Sequence, residues 1–145
     1  MAGEESLPRH RVLIVDDEES MRLLLARLLS TELGVEAQLA GTCEQALRLA
    51  ENYAYDAILL DLLMPGIGGF AVLSEIRASA ANAATPVIIV SVVSEKAIID
   101  SCLAAGASAY HVKPVRRAEL VATVKTQLAL RARARPTALR SPVPR

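Results

Sequence analysis

Tryptophan is absent from the 145 residues, phenylalanine occurs once and tyrosine three times. A hydrophobic interior must therefore be assembled from Leu, Ile, Val and Ala. Enough material exists for one, since 52% of the chain is hydrophobic and 22% is charged, a balance that excludes wholesale disorder. Only two cysteines occur, Cys43 and Cys102. Their separation excludes a zinc-finger pattern and a disulfide framework, so free thiols in a reducing compartment are expected. No apolar run approaches the length of a membrane span. The N-terminus, MAGEESLPRHR, lacks the apolar core of a secretory signal. A soluble cytoplasmic protein with no membrane partner is expected.

Net charge is also absent, but the zero is a sum of unlike parts. Residues 131–145 hold five Arg and no acid. The remaining 130 residues hold 11 basic and 16 acidic side chains, a net of −5. An acidic body argues against a nucleic-acid surface on it. The tail RARARPTALRSPVPR has three Pro and no apolar period. The expected organisation is a flexible N-terminus at 1–9, one domain over 10–130, and a disordered Arg/Pro-rich tail or linker over 131–145.

Within that domain, short apolar runs alternate with helix-patterned stretches. VLIV at 12–15 is too short for a helix and rich in β-branched residues. Met21, Leu24, Leu25, Leu28 and Leu29 form a helical stripe over 18–32, and Gly34 suits the C-cap. A weaker strand is expected at 35–40. Thr42 and Gln45 read as a capping box opening a helix over 43–52. AILL at 57–60, a glycine loop, and a helix over 69–79 follow. Pro86 precedes VIIV at 87–90. Ser94 is expected to cap a helix over 95–105, ended by Gly106. Residues 108–112 form the last strand and 116–130 the last helix. Five βα units of this kind predict an α/β fold with a parallel sheet covered by helices on both faces.

The chemistry lies where apolar strands run into polar residues. VLIV ends in Asp16-Asp17, AILL in Asp61, VIIV in Ser91, and the last strand leads to Lys113. In an open parallel sheet the strand C-termini share one edge, where ligands bind. Three carboxylates gathered there repel one another unless a cation compensates. Oxygen donors without His or Cys favour Mg²⁺, which completes its octahedron with waters and phosphate oxygens. A phosphoryl group is the natural guest. Asp61, alone at its strand end, is the candidate nucleophile. Lys113 and Ser91 can supply charge and a hydrogen bond to phosphoryl oxygens.

VLIVDDE, LLDLLMPGIGG, PVIIVS and AYHVKP together resemble the receiver domain of two-component response regulators, over roughly residues 10–130. The resemblance implies a flavodoxin-like doubly wound (βα)5 fold with strand order 2-1-3-4-5. It implies phosphorylation at Asp61 and Mg²⁺ held by Asp17, Asp61 and the Leu63 backbone carbonyl, with Asp16 acting through water. It gives Ser91 and Tyr110 the role of switch residues and makes Lys113-Pro114 a cis peptide. A sensor histidine kinase or histidine phosphotransfer domain would be the donor, docking near 18–32. The partner surface, for a downstream protein, an output domain or a second copy, would be the 95–130 face. No enzymatic turnover beyond self-phosphorylation and self-dephosphorylation is implied.

Val92 stands where the family usually has Ala or Gly, and Gly68 replaces an acidic residue common before Gly69. Leu63 and Val93 are apolar where many relatives are polar, from which slow self-dephosphorylation is expected. Two other readings compete: a receiver that binds without phosphorylation, and a phosphatase passing through an aspartyl phosphate. The phosphatase reading lacks a second acid, since Leu63 occupies its place. A receiver fragment of a larger regulator is a further alternative. His10, His111, Cys43 and Cys102 are expected to be structural or solvated.

Overall fold

In a computed structural model, residues 9–134 are described. Strands β1 (Arg11–Val15), β2 (Glu36–Ala40), β3 (Ala57–Leu60), β4 (Val87–Ser91) and β5 (Ala109–Val112) alternate with five helices. These are α1 (Glu19–Leu33), α2 (Cys43–Asn52), α3 (Gly69–Ala78), α4 (Lys96–Ala104) and α5 (Arg117–Ala134). Every strand pairing is parallel, in the order β2-β1-β3-β4-β5, which is the flavodoxin-like order expected. Among the described residues, no helix is long and apolar enough to cross a membrane.

Alternation along the three central strands divides the core in two. Leu13, Val15, Ile58, Leu60, Val87 and Ile89 face α2 and α3, meeting Ala46, Ala50, Val72, Leu73 and Ile76. Val12, Ile14, Leu59, Ile88 and Val90 face α1 and α5, meeting Leu25, Leu29, Leu120, Val124 and Leu128. Successive side chains of a strand point to opposite faces, so a strand buried on both sides must be apolar throughout. Both cysteines are free and buried.

Most boundaries fall within a residue or two of those expected, with instructive differences. Leu24 lies at the margin of the α1 stripe and is exposed, whereas Leu25 and Leu29 are buried. Gly34 takes the left-handed conformation at the end of α1 (φ 67°). Thr42 Oγ1 accepts from the Gln45 amide (3.0 Å), but Gln45 returns its bond to the Gly41 amide, one residue before the usual position. Ser94 does not cap α4: the Glu95 carbonyl accepts the first helical bonds, from Ile98 and Ile99.

Helix α5 continues to Ala134, so residues 131–134 are helical, contrary to the expected tail boundary. Ala and Arg favour helix, and Arg131 and Arg133 suit the negative end of its dipole. Arg131 also donates to Thr85 Oγ1 (3.4 Å). Residues 1–8 and 135–145, with the rest of the expected N-terminus and tail, lie outside the described residues.

Candidate functional site

Parallel register brings the ends of β1, β3 and β4 to one edge. Leu60 pairs with Val15 on one side and with Ile89 on the other. The next residues after β1 and β3 are Asp16-Asp17 and Asp61, and Ser91 closes β4. One carboxylate oxygen from each of Asp16, Asp17 and Asp61 lies within 4.8 Å of the others. Asp16 and Asp61 are buried and Asp17 is exposed.

Lys113, just beyond β5, reaches back across the sheet edge. Its Nζ donates to Asp16 Oδ2 (2.8 Å) and Asp61 Oδ2 (3.0 Å). Burial alone would lower its pKa, but hydrogen bonds and charge attraction from Asp16 and Asp61 outweigh that and raise it. The ammonium therefore stays charged. Pro114 follows through the cis peptide expected at Lys113-Pro114.

The loops around this crevice are shaped by local bonds. Asp61 Oδ1 accepts from the Leu63 amide (3.1 Å), and Asp16 Oδ1 accepts from the Glu18 amide (2.9 Å). Gly66 and Gly68 have positive φ in the loop after β3. At Gly69 a β-carbon would overlap the Asp61 carbonyl and Leu62 Cα, so only glycine lets α3 start there. Leu63, Ile67 and Val92 are apolar yet more than half exposed in these loops.

Ser91 is fully buried, and its Oγ accepts from the Val93 amide (3.3 Å). Tyr110 packs against the α2–α3 face of the core and donates its hydroxyl to the Val93 carbonyl (2.6 Å). Burial first raises the pKa of this phenol, while its hydrogen bond with Ser91 opposes the rise. Tyr110 and Ser91 are thus linked through one loop. His111 Nε2 meets Thr123 Oγ1 (2.9 Å) against α5, away from the carboxylates, in the structural role expected.

All five polar side chains predicted to converge lie at this edge. Two neighbours were not singled out from sequence, Arg22 and Gly41. Arg22 donates to the Asp16 carbonyl (2.6 Å), and its guanidinium fills the space beside Gly41. Nothing in the linear spacing of positions 22 and 41 announces their meeting.

The donor set fits a hard divalent cation. Three carboxylates face one ammonium, leaving two negative charges uncompensated, and no His or Cys is in the cluster.

Known proteins similar to this chain are signalling regulators and receiver domains. The chain is 36% identical over 116 residues to the sensory/regulatory protein RpfC of Xanthomonas campestris pv. campestris, covering 79% of this chain and 16% of that protein. It is 32% identical over 120 residues to the DNA-binding response regulator MtrA of Mycolicibacterium smegmatis, covering 83% of this chain and 51% of MtrA. The chain thus spans about half, or much less, of the length of these relatives. Among solved structures, the receiver domain of sensor histidine kinase PA1611 from Pseudomonas aeruginosa PAO1 has a magnesium ion coordinated in its active-site cleft. It superposes with TM-score 0.76 at 30% identity, covering 84% of this chain and 99% of that one. A CheY-like receiver domain protein from Methanospirillum hungatei JF-1 gives TM-score 0.82 at 26% identity, covering 88% and 100%. The response regulator receiver domain family matches residues 12–125. With that match over most of its length, and with Asp16, Asp17 and Asp61 forming its acidic pocket, the chain belongs to the response regulator receiver domain family of two-component signalling.

Proposed function

We propose that the chain accepts a phosphoryl group on Asp61 from a phosphohistidine donor, with Mg²⁺, and relays the event through a change of its protein-binding surface. The observation that carries this reading is the Lys113 ammonium bridging Asp16 and Asp61 beside the Asp17 carboxylate. Asp16, Asp17, Asp61 and the Leu63 carbonyl would hold the metal. When bound, it would neutralise charge building on the phosphoryl oxygens.

The chain's own residues supply the rest. An Asp61 carboxylate oxygen attacks phosphorus, the new O–P bond forms, and the donor's N–P bond breaks. Its electron pair returns to the imidazole nitrogen, which takes a proton from solvent. Lys113 is already within hydrogen-bond range of Asp61 and can turn to a phosphoryl oxygen. The Ser91 hydroxyl serves a second oxygen after leaving the Val93 amide. That departure loosens the loop which the Tyr110 hydroxyl holds through Val93, and so biases α4, β5 and α5.

The responding face is the part of the domain from α4 to α5. Ile98, Leu103 and Val112 are exposed there, and β5 is an edge strand. These features support a protein partner, an output domain or a second copy as the reader of the switch. The donor would be a sensor histidine kinase or a histidine phosphotransfer domain in the cytoplasm. The chain would turn over no external substrate.

Incubation with acetyl phosphate and Mg²⁺ tests the proposal by intact mass. One phosphoryl group should appear on the wild type and none on Asp61→Asn. Absence of any gain with donor and metal would reject it. Hydrolysis of small phosphate esters at a rate unaffected by Asp61→Asn would point to other chemistry.

A further inference from the structure

Asp16 engages all of its hydrogen-bonding groups. Its amide donates to the Ala40 carbonyl (3.1 Å). Its two carboxylate oxygens accept from the Glu18 amide (2.9 Å) and Lys113 Nζ (2.8 Å). Its carbonyl accepts from Arg22 Nη1 (2.6 Å). Asp17 differs: it is exposed, and its carboxylate has no hydrogen-bond partner among the described residues. The Asp16 carbonyl and the Asp17 amide share one planar peptide unit. Whatever fixes that carbonyl also fixes the direction in which Asp17 leaves β1.

Arg22 does so from the first turn of α1, and Gly41 gives it room. A β-carbon at position 41 would stand 2.7 Å from Arg22 Nη1 and 3.1 Å from its Cζ. Gly41 is not among the glycines with positive φ, so its backbone would accept a side chain. The missing side chain therefore serves the guanidinium. Beside the backbone pairing of β1 with β2, this arginine adds a side-chain link from the end of β1 to the corner after β2.

We propose that Arg22, seated against Gly41, is a positioning residue that aims the Asp17 carboxylate at the metal site. The inference rests on the metal site proposed above. Two effects oppose each other here. A cation near the pocket repels a divalent ion, whereas a fixed peptide preorganises a ligand. Arg22 is partly exposed, so solvent and salt screen its charge, while its hydrogen bond acts locally. Groups that orient metal ligands typically change affinity about 10-fold or more when removed.

Binding of Mn²⁺, followed by electron paramagnetic resonance on the full chain, separates the two effects. Arg22→Ala should weaken Mn²⁺ binding about 10-fold. Gly41→Ala keeps the arginine but takes its place, and should weaken binding in the same direction. The double variant should bind no more weakly than Arg22→Ala, because no guanidinium remains to be displaced. Metal-free melting of Gly41→Ala should stay close to wild type, since a flexible side-chain end is all that must shift. Unchanged or tighter binding in either single variant, or additive losses in the double, would overturn the inference. Should Arg22→Ala fold poorly, Gly41→Ala alone decides it. A wild type that binds no Mn²⁺ would overturn the metal site and this inference together.

Discussion

At the starting ends of β3 and β4, Asn82 is fully buried and completely engaged. Its Oδ1 accepts from the Tyr55 amide (2.8 Å) and Thr85 Oγ1 (3.0 Å). Its Nδ2 donates to the carbonyls of Ala50 (2.6 Å) and Tyr53 (2.7 Å). Arg77 lies nearby, donating to the carbonyls of Thr85 (2.8 Å) and Gly106 (2.7 Å). At the finishing ends of the same sheet, Asp16 and Asp61 are equally buried but share one ammonium. Both ends bury polar atoms. At the finishing end three carboxylates gather round one ammonium, and the repulsion among them costs stability. The starting end engages the Asn82 amide in full, whereas the finishing end holds more acids than the ammonium beside them can pair.

Exchanging one residue at each end should break this contrast most visibly. Asp61→Asn should abolish phosphorylation by acetyl phosphate while leaving stability unchanged or raised, because Lys113 keeps Asp16 and one repulsion is removed. Asn82→Ala should lower stability by about 3 kcal/mol in chemical denaturation, since the Tyr55 amide and two carbonyls lose their partner. Its folded fraction should still be phosphorylated. A stable Asn82→Ala, or an unstable Asp61→Asn, would remove the distinction.

Lys113→Met sharpens it. Two buried carboxylates would lose their cation, and stability should fall by about 3 kcal/mol. Added Mg²⁺ should recover part of that loss, as ligands of the native state do. Denaturation with and without the metal measures both.

Leu63→Gln tests the mouth of the pocket. A water attacking the phosphoryl group needs a polar neighbour to orient it, and the side chains of Leu63 and Val93 offer none. Dephosphorylation should be slow in the wild type and about 10-fold faster in the variant. Loss of phosphoryl mass over time would show it.

The smallest effects concern pH, and one of the three groups involved has the opposite sign to the other two. Tyr55 is pushed up to about 12 by burial, with opposing help from Arg11 and a further rise from Tyr53. Its stabilisation should be complete below pH 10 and lost as pH rises through about 12. Lys113 behaves alike: its contribution is present below its ordinary value of 10.5 and lost as pH climbs through the raised one. His111 has the opposite sign, because burial lowers its pKa, Glu119 pulling the other way. Its contribution is present above pH 6.5 and lost as pH falls through the lowered value. Melting curves across pH for Tyr55→Phe, Lys113→Met and His111→Gln separate the three.

Most of the finishing end was legible beforehand. An apolar run followed at once by an acid, as at Val15-Asp16 and Leu60-Asp61, marks the place where a buried strand emerges. The starting end was far less so. Asn82 sits in an alanine-rich stretch, and Tyr55 carries no sign that its hydroxyl will meet Gln38. Its partners lie up to 32 residues away in the chain. Ser94 misled because a cap depends on where the preceding loop turns, and here Tyr110 holds that loop through Val93.

Period and composition by themselves determined the βα alternation, the aliphatic two-sided core and which acids end the strands at the shared edge. These follow from rules that act along the chain: strands buried twice must be apolar, and helices show one face. Tertiary structure alone decided that Lys113 spans Asp16 and Asp61 and that Arg22 needs the bare backbone of Gly41. Each of these is a distance between residues remote in sequence, and such distances exist only once the sheet has fixed which strands lie side by side.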